Sequence, residues 1–445
     1  MKNNIHHSTK SIQILLAMVL SASFIPEGIE AQDRIRTYAD YHSDTSIIRE
    51  WTVDNCVQYN RDRYDHAGHS TFHRVDFPGV ATHGMRITEN YQLFVKDMVI
   101  LNDTVYFCGT QNKAGVIGYF PIAVLTNTPV PHYLEIQRYE VSEFKKMDVF
   151  YAAGKLHIVT IANSTSNEPY IFDFCRQNGN NWRIAATPDS CTTCVYDDIV
   201  VTDSFAIVTR RGSKEGDNIV QRFRKPTTGA GTIFNSGALR NHIPFTPQSP
   251  FIMAHCHDKN NSFAVTALNS SSVPASCVWY KALNMTITGA VNYNFYESVQ
   301  TPKDMKYNKT SKEMTILANR NTTSCVYHIS PIPGAAYCHT FTDKLLHSID
   351  YLKLQPTCFV ASGLDINTYW LNYLRFVYNG NNECMPRHAI ETEARPYYDD
   401  IVSIRYQFMV DVDEAKKRYA QPLVVQYYRQ CTARDDDDDE NETQD

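Results

Sequence analysis

The chain has 445 residues, of which 43% are hydrophobic and 20% charged, values that are normal for a globular protein with a full core. The formal net charge is −6, and eight acidic side chains in the last eleven residues leave the rest of the chain at +2. No clustered basic face is present, so we expect no nucleic-acid partner. Aromatic residues reach 12%, led by 28 Tyr, and favour strands over helices.

Residues 1–31 are predicted to form a secretory signal peptide. Lys2 and Lys10 precede an apolar stretch at residues 12–24, and residues 28–31 offer a cleavage site before Gln32. The stretch is shorter than the roughly 20 residues that a spanning helix needs. No later apolar run is long enough to form a membrane-spanning helix. We therefore expect a secreted, periplasmic or cell-envelope protein without a membrane span.

Residues 32–93 are predicted to be an N-terminal segment that contains a cluster of histidines. The spacing of His66, His69 and His73 would place them on one helix face, and His83 follows nearby. Such a face could bind zinc. Gly68 and the strand-rich surroundings argue against a helix here, so zinc binding is the less favoured interpretation.

One pattern recurs about every 50 residues between residues 94 and 431. Each copy opens with an acidic or small residue among apolar ones and continues with a turn, two further apolar runs and a variable fourth run. The aligned positions are 97, 148, 198, 254, 304, 348 and 400. Four short strands per copy predict an all-β protein, a β-propeller with about seven four-stranded blades.

The last copy opens at Asp400 and ends near Cys431, after its third strand. We predict that an N-terminal strand, from residues 70–75 or 83–88, completes this blade and closes the ring. Because residues 32–93 exceed one strand, an extra partial blade stays possible, with six to eight blades in total. Apart from the signal, residues 413–419 alone suggest a helix, in a loop of the last copy.

The opening Asp of the repeat is a candidate ligand. It occurs in five of seven copies, whereas Ala254 and Ser348 occupy the other two; the five are Asp97, Asp148, Asp198, Asp304 and Asp400. On innermost strands these carboxylates would lie near one mouth of a central channel and could bind Ca²⁺ or a cationic ligand. The alternative is structural, with each Asp accepting backbone N–H bonds between blades. Recurrence favours the alternative, because architecture repeats whereas binding sites are usually asymmetric.

The fourth copy departs from the pattern with His255-Cys256-His257-Asp258. Alternate strand residues face one side, so His255 and His257 could share a ligand or metal that Cys256 cannot reach. Ordinary strand and turn residues are the favoured interpretation. We assign no metal site and expect no cofactor, with Ca²⁺ as the one candidate.

Twelve cysteines permit disulfides in an exported protein, but their connectivity does not follow from the sequence. Cys191 and Cys194 have a CxxC spacing that redox and zinc sites share. Neither a second CxxC nor a thioredoxin-like pattern accompanies them. A small loop disulfide or free thiols is therefore the favoured interpretation.

Residues 97–120 (DMVILNDTVYFCGTQNKAGVIGYF) resemble the opening blade of uncharacterised exported propeller proteins from Bacteroidetes-type bacteria. The resemblance extends over residues 94–431 and is one of pattern. It implies the fold and the compartment. It implies no activity, because propellers serve many functions.

No nucleophile elbow, zinc-protease, P-loop or dinucleotide motif occurs in a credible context. The sequence therefore favours a binding or interaction module whose polar loops meet an extracellular or envelope glycan, peptide or protein. The alternative is a polysaccharide hydrolase or lyase with Asp and His at the channel mouth. A structural envelope component is a third possibility. Residues 432–445 are predicted to be a disordered acidic tail.

Overall fold

Runs of β-branched and aromatic residues between tight turns form antiparallel strands along the chain. The computed structural model describes residues 56–59, 71–76, 81–88, 93–102, 104–111, 114–121, 132–136, 141–164, 168–178, 181–189, 191, 193–229, 231–235, 237–256, 258, 261–270, 274–309, 311–320, 323–342, 344–351, 358–365, 371–377, 387–404, 410–411, 415–419 and 424–429. All of them belong to one unit, Arg34–Asp445. The helices in these ranges are two 3₁₀ turns, Glu215–Asp217 and Ile233–Asn235.

The described strands form seven sheets that follow one another along the chain. The first sheet contains β1 (Cys56–Tyr59), β2 (Thr71–Asp76) and β3 (Ala81–Thr88). The second contains β4 (Leu93–Leu101), β5 (Thr104–Gln111), β6 (Ala114–Pro121) and β7 (His132–Ile136). The third contains β8 (Val141–Ala152), β9 (Lys155–Ser164), β10 (Pro169–Arg176) and β11 (Trp182–Pro188).

The fourth sheet contains β12 (Val195–Val201), β13 (Phe205–Arg211), β14 (Ile219–Arg224) and β15 (Ala238–His242). The fifth contains β16 (Ile252–His255), β17 (Ser262–Leu268), β18 (Ala275–Lys281) and β19 (Ile287–Tyr293). The sixth contains β20 (Thr301–Asn308), β21 (Glu313–Arg320), β22 (Thr323–Ile329) and β23 (Ala336–Thr342). The seventh contains β24 (Lys344–Tyr351), β25 (Cys358–Asp365) and β26 (Leu371–Val377).

From the second to the sixth, successive sheets pack face to face, and alternate residues of a strand enter different cores. On β9, Ile158 and Ala162 join a hydrophobic cluster shared with the second sheet. Their neighbours Val159 and Ile161 join a cluster shared with the fourth sheet. Similar clusters join the fourth sheet to the fifth and the fifth to the sixth. Each sheet from the third to the fifth therefore buries both faces, which is a propeller-like arrangement.

The first strands of neighbouring sheets contact one another in the order β4, β8, β12, β16, β20 and β24. Six of the seven aligned repeat positions lie on these strands, from Asp97 on β4 to Ser348 on β24. A β-bulge directly precedes the aligned position on β4, β12, β20 and β24. The bulge redirects the strand at this point, as bulges generally do.

The remaining strands form a segment that we call the strap. It comprises β27 (Arg387–Ile390), β28 (Thr392–Ala394), β29 (Val402–Ile404), β30 (Val410–Asp411), β31 (Ala415–Tyr419) and β32 (Val424–Arg429). These strands pair in turn with β23, β19, β15, β11, β7 and β3. The strap thus returns past six sheets in reverse order and adds one outer strand to each.

The strap corrects three expectations from the sequence. Asp400 does not open a seventh blade, because the following residues pair as an outer strand with β15. Residues 415–419 form a strand rather than a helix, because pairing with the edge of β7 overrides their helical pattern. His83–Thr88 does pair with C-terminal residues 424–429, but within a separate four-stranded N-terminal sheet and not in a blade that Asp400 opens.

Candidate functional site

The recurring Asp side chains lie between sheets. Asp97, Asp148, Asp198 and Asp304 are all at most 6% exposed. One carboxylate oxygen of Asp148, Asp198 and Asp304 accepts the N–H of the next residue at 2.8–2.9 Å. The other oxygen accepts a backbone N–H from the first strand of the following sheet, at 2.8–3.0 Å. Asp97 accepts the N–H of Met147 in the same way, at 3.0 Å.

These bonds give the four carboxylates the structural role that recurrence favours. A buried carboxylate needs several donors, and backbone N–H groups from two adjacent sheets supply them. Among the described residues, no group of three or more His, Cys, Asp or Glu side chains is placed to hold a metal ion. Ca²⁺ or a cationic ligand at these positions stays a prediction from the sequence.

The other candidates from the sequence lie elsewhere. Asp400 is exposed on the strap, where its N–H donates to Asn241 Oδ1 at 2.9 Å. His255 is buried at the end of β16, beside Ala254. His257 lies outside the described residues, as do His66 and His69. His73 and His83 belong to β2 and β3, but the structure describes only their backbone.

The CxxC segment forms a loop disulfide between Cys191 and Cys194, with a Cα–Cα distance of 5.4 Å. Asp189 organises the same loop by accepting both Arg210 Nη1 at 2.9 Å and the Tyr196 hydroxyl at 3.0 Å. Within the described ranges, six other cysteines are buried and are not disulfide-bonded: Cys108, Cys175, Cys256, Cys277, Cys325 and Cys338. These thiols are part of the core.

A Cys–His–Asp arrangement that sequence reasoning missed lies on β9 and β10. His157 Nδ1 is 2.9 Å from Asp173 Oδ1, and its Nε2 is 3.6 Å from Cys175 Sγ. Burial by itself lowers the pKa of His157. The hydrogen bonds to Asp173 and Cys175 outweigh burial and raise the pKa from 6.5 to about 9. The three residues are fully buried, so no substrate can reach the thiol. The group is a polar network within the core.

The candidate binding site is a groove where the strap crosses between the sixth and fifth sheets. It has a volume of about 540 Å³, within the range of small-molecule sites. Its lining residues are Asn292, Asn294, Gly334, Ile390, Glu391, Thr392 and Glu393. Five of these seven carry polar side chains. The groove therefore offers both hydrogen-bond donors and acceptors.

Backbone pairing fixes the strap on both sides of the groove. Ile390 pairs with Ala336 of the sixth sheet, and two residues later Thr392 pairs with Tyr293 of the fifth. Between them, the Asn294 N–H donates to the Glu391 carbonyl at 3.2 Å. Thr392 Oγ1 accepts the Gly334 N–H at 3.1 Å and donates to the Gly334 carbonyl at 3.2 Å. The crossing is thus tied to both sheets.

Two amide–carboxylate pairs line the groove. Asn292 Nδ2 donates to Glu393 Oε1 at 3.1 Å, and Asn294 Nδ2 donates to Glu391 Oε2 at 3.4 Å. Asn292 is buried, and its Oδ1 accepts Ser276 Oγ at 2.7 Å and Arg395 Nη1 at 3.1 Å. Glu391, Glu393 and Asn294 are exposed. The buried network fixes the Asn292–Glu393 pair, while the exposed side chains of Glu391 and Asn294 stay accessible to a ligand.

The sequence contained a signal for this site that the repeat obscured. Residues 387–404 are rich in charged and aromatic residues and lack the apolar runs of a blade. Assigning Asp399-Asp400-Ile401-Val402 to a seventh copy hid this difference.

No described helix has the length and hydropathy needed to cross a bilayer.

No family model and no curated protein sequence matches the chain. Among solved structures, the chain is similar to a Bombyx mori GH32 β-fructofuranosidase, determined as a mutant in complex with sucrose. The identity is 8%, the TM-score is 0.24, and the match covers 74% of this chain and 88% of the other. At this TM-score the likeness supports no inference about the fold or the function of this chain.

Proposed function

We propose that the protein is a glycan-binding module and that the groove under the strap is its ligand site. The observation that carries this proposal is the polar lining of the groove, with two carboxylates, two amides and one hydroxyl around a single aliphatic side chain, Ile390. Small-molecule sites are usually lined mainly by apolar groups. A ligand for this groove must itself be densely polar.

A sugar satisfies this requirement because each hydroxyl both donates and accepts. Hydroxyls can donate to Glu391 and Glu393, and such bonds to charged acceptors are the stronger kind. They can also accept from the amide of Asn294, which is exposed. A peptide would leave more of these acceptors unpaired, since it offers fewer donors for its size.

The proposal includes the setting of the site. The seven consecutive sheets are proposed to close into a seven-bladed propeller, with the strap as an outer layer. The predicted signal peptide supports export, which would place the groove where glycans of the envelope or the medium are found. An experimental structure in which the ring is open would contradict the closed propeller.

The test uses the full chain on a glycan array, followed by calorimetry with the glycans that bind. In Gly334→Phe, the new side chain enters the groove. A Cβ at Gly334 meets only the Ile332 carbonyl, at 3.9 Å, so the substitution leaves the fold unstrained. We expect at least a tenfold loss of affinity. Asn294→Ala should weaken the same glycans, because it removes an accessible donor.

Gly216→Phe is the matched control, because a Cβ at Gly216 meets nothing within 4 Å and the residue lies in a distant 3₁₀ turn. It should bind like the unmodified protein. If no glycan binds, the proposed function is wrong. If both Phe variants bind equally well, the groove is not the ligand site.

Hydrolysis of the glycan is a second candidate, which one observation favours. Glu391 and Glu393 are two residues apart on the strap and line the same groove. Glycosidases use such a pair of carboxylates, one as the acid and the other as the base or nucleophile. Release of reducing ends from bound glycans, abolished in Glu393→Gln, would assign this activity.

A further inference from the structure

Two tyrosines follow the groove along the strap, and a stacking contact holds the second of them. Tyr398 is 69% exposed and Tyr397 is 42% exposed. The ring of Tyr398 stacks on His242, with 4.2 Å between centroids. One face of this ring is therefore covered and the other is open to solvent.

Polar anchors fix the strap on each side of the tyrosines. Before them, the Arg395 N–H donates to the Ala290 carbonyl at 2.9 Å, and its Nε donates to the Pro244 carbonyl at 2.8 Å. After them, Asp399 Oδ1 accepts Asn241 Nδ2 at 2.8 Å and the Ile287 N–H at 2.9 Å. The short segment between these anchors has little freedom, so the rings are presented with little entropic cost on binding.

The tyrosines are close to the groove. Tyr397 is four positions after Glu393 in the sequence, so their Cα atoms are at most about 14 Å apart. Leu283 is 69% exposed, and the carbonyl of Met285, two residues further on, accepts the Asn241 amide. A polar groove and an aromatic surface thus adjoin on one strap.

We propose that Tyr397 and Tyr398 form an aromatic subsite that continues the groove, so that the ligand is a linear oligosaccharide or polysaccharide rather than a single sugar. This inference rests on the proposed glycan-binding function. Sugar rings have an apolar face of C–H groups that packs on an aromatic ring, whose face carries negative partial charge. Hydroxyls in the groove and ring faces on the tyrosines would then engage successive units of one chain.

The experiment measures affinity against ligand length by calorimetry. The probes are linear β-glucan and β-mannan oligosaccharides, from disaccharide to hexasaccharide, titrated into the full chain. We expect affinity to rise with length and then level off. Tyr398→Ala should lower the affinity for the hexasaccharide about tenfold and leave the disaccharide unchanged. Asn294→Ala should weaken both.

Tyr151→Ala is the matched control, because Tyr151 is 51% exposed on β8, outside the strap. It should leave every affinity unchanged. Affinity that does not depend on length, or a Tyr398→Ala variant that binds the hexasaccharide normally, would overturn the aromatic subsite while the groove stands. Binding of neither probe series, with none on the array, would overturn the glycan-binding function itself.

Discussion

At the scale of single residues, the same carboxylate can serve a binding site or an architectural joint, and its hydrogen bonds distinguish the two. Asp148, Asp198 and Asp304 each accept one N–H from their own strand and another from the next sheet. Hydrogen bonds of this kind do not indicate a ligand site. They do fix the spacing of neighbouring sheets, because both donors belong to backbone that is already paired.

Asp198→Ala is expected to destabilise the fold. It removes the carboxylate that accepts the buried N–H groups of Ile199 and Met253, which costs about 3 kcal/mol. Urea unfolding followed by circular dichroism measures the change. Asp203→Ala is the control, since Asp203 is exposed. Equal urea midpoints for the two variants would contradict the structural role of Asp198 between adjacent sheets.

The buried His157 should make stability depend on pH. Its pKa in the folded protein, about 9, lies above the ordinary value of 6.5. The stabilisation is therefore complete below pH 6.5 and is lost as the pH rises through 9, by about 3 kcal/mol in total. The measurement compares unfolding free energies at pH 6 and pH 10.

Asp173→Asn provides the control for this pH effect, because it removes the charge that His157 faces. The stability difference between the variant and the unmodified protein should shrink as the pH rises. Lys225 makes this comparison necessary. Burial lowers the pKa of Lys225 to about 8, so its contribution to stability increases as the pH rises, opposite to that of His157. A difference that is constant with pH would show that His157 is neutral.

At the scale of elements, the sequence predicted the strands better than their partners. The apolar runs and turns placed six first strands correctly, because each run has its own local signal. The strap strands are two to six residues long and gain their structure from the edges that they meet. Local pattern cannot reveal such a partner, so the helical period at residues 415–419 was misleading.

The candidate groove escaped prediction for the same reason. Asn292 and Glu393 are about a hundred residues apart in sequence and meet only because β28 pairs with β19. The sequence directed attention to the inner strands, where repetition is strongest. The groove instead lies on the outer side, where the repeat ends and the strap begins.

Removing the strap should leave the outer edges unprotected. A chain that ends at residue 386 would expose the unpaired edges of β23, β19 and β15, and exposed edges promote association between chains. We expect aggregation on size-exclusion chromatography and thioflavin binding. Deleting residues 432–445 alone is the control and should leave a monodisperse protein. A monodisperse strapless chain would contradict this role.

At the scale of the whole molecule, stability is distributed over interfaces between successive sheets. Each hydrophobic cluster belongs to two neighbours, as in repeat proteins in which a unit contacts mainly the next one. The strap adds a different kind of contact, because it links distant parts of the sequence to sheets that are otherwise local. Packing between neighbouring sheets and pairing with the strap thus both stabilise the fold.

The reverse order of the strap has a consequence for the timing of folding. During synthesis the sheet of β1–β3 emerges first, yet its outer strand β32 is made last, more than 300 residues later. The sixth sheet, by contrast, receives β27 about 45 residues after β23. The earliest sheets therefore wait longest with an open edge. Contacts of such large separation slow folding, so a chaperone that shields strand edges would benefit the N-terminal half of the nascent chain most.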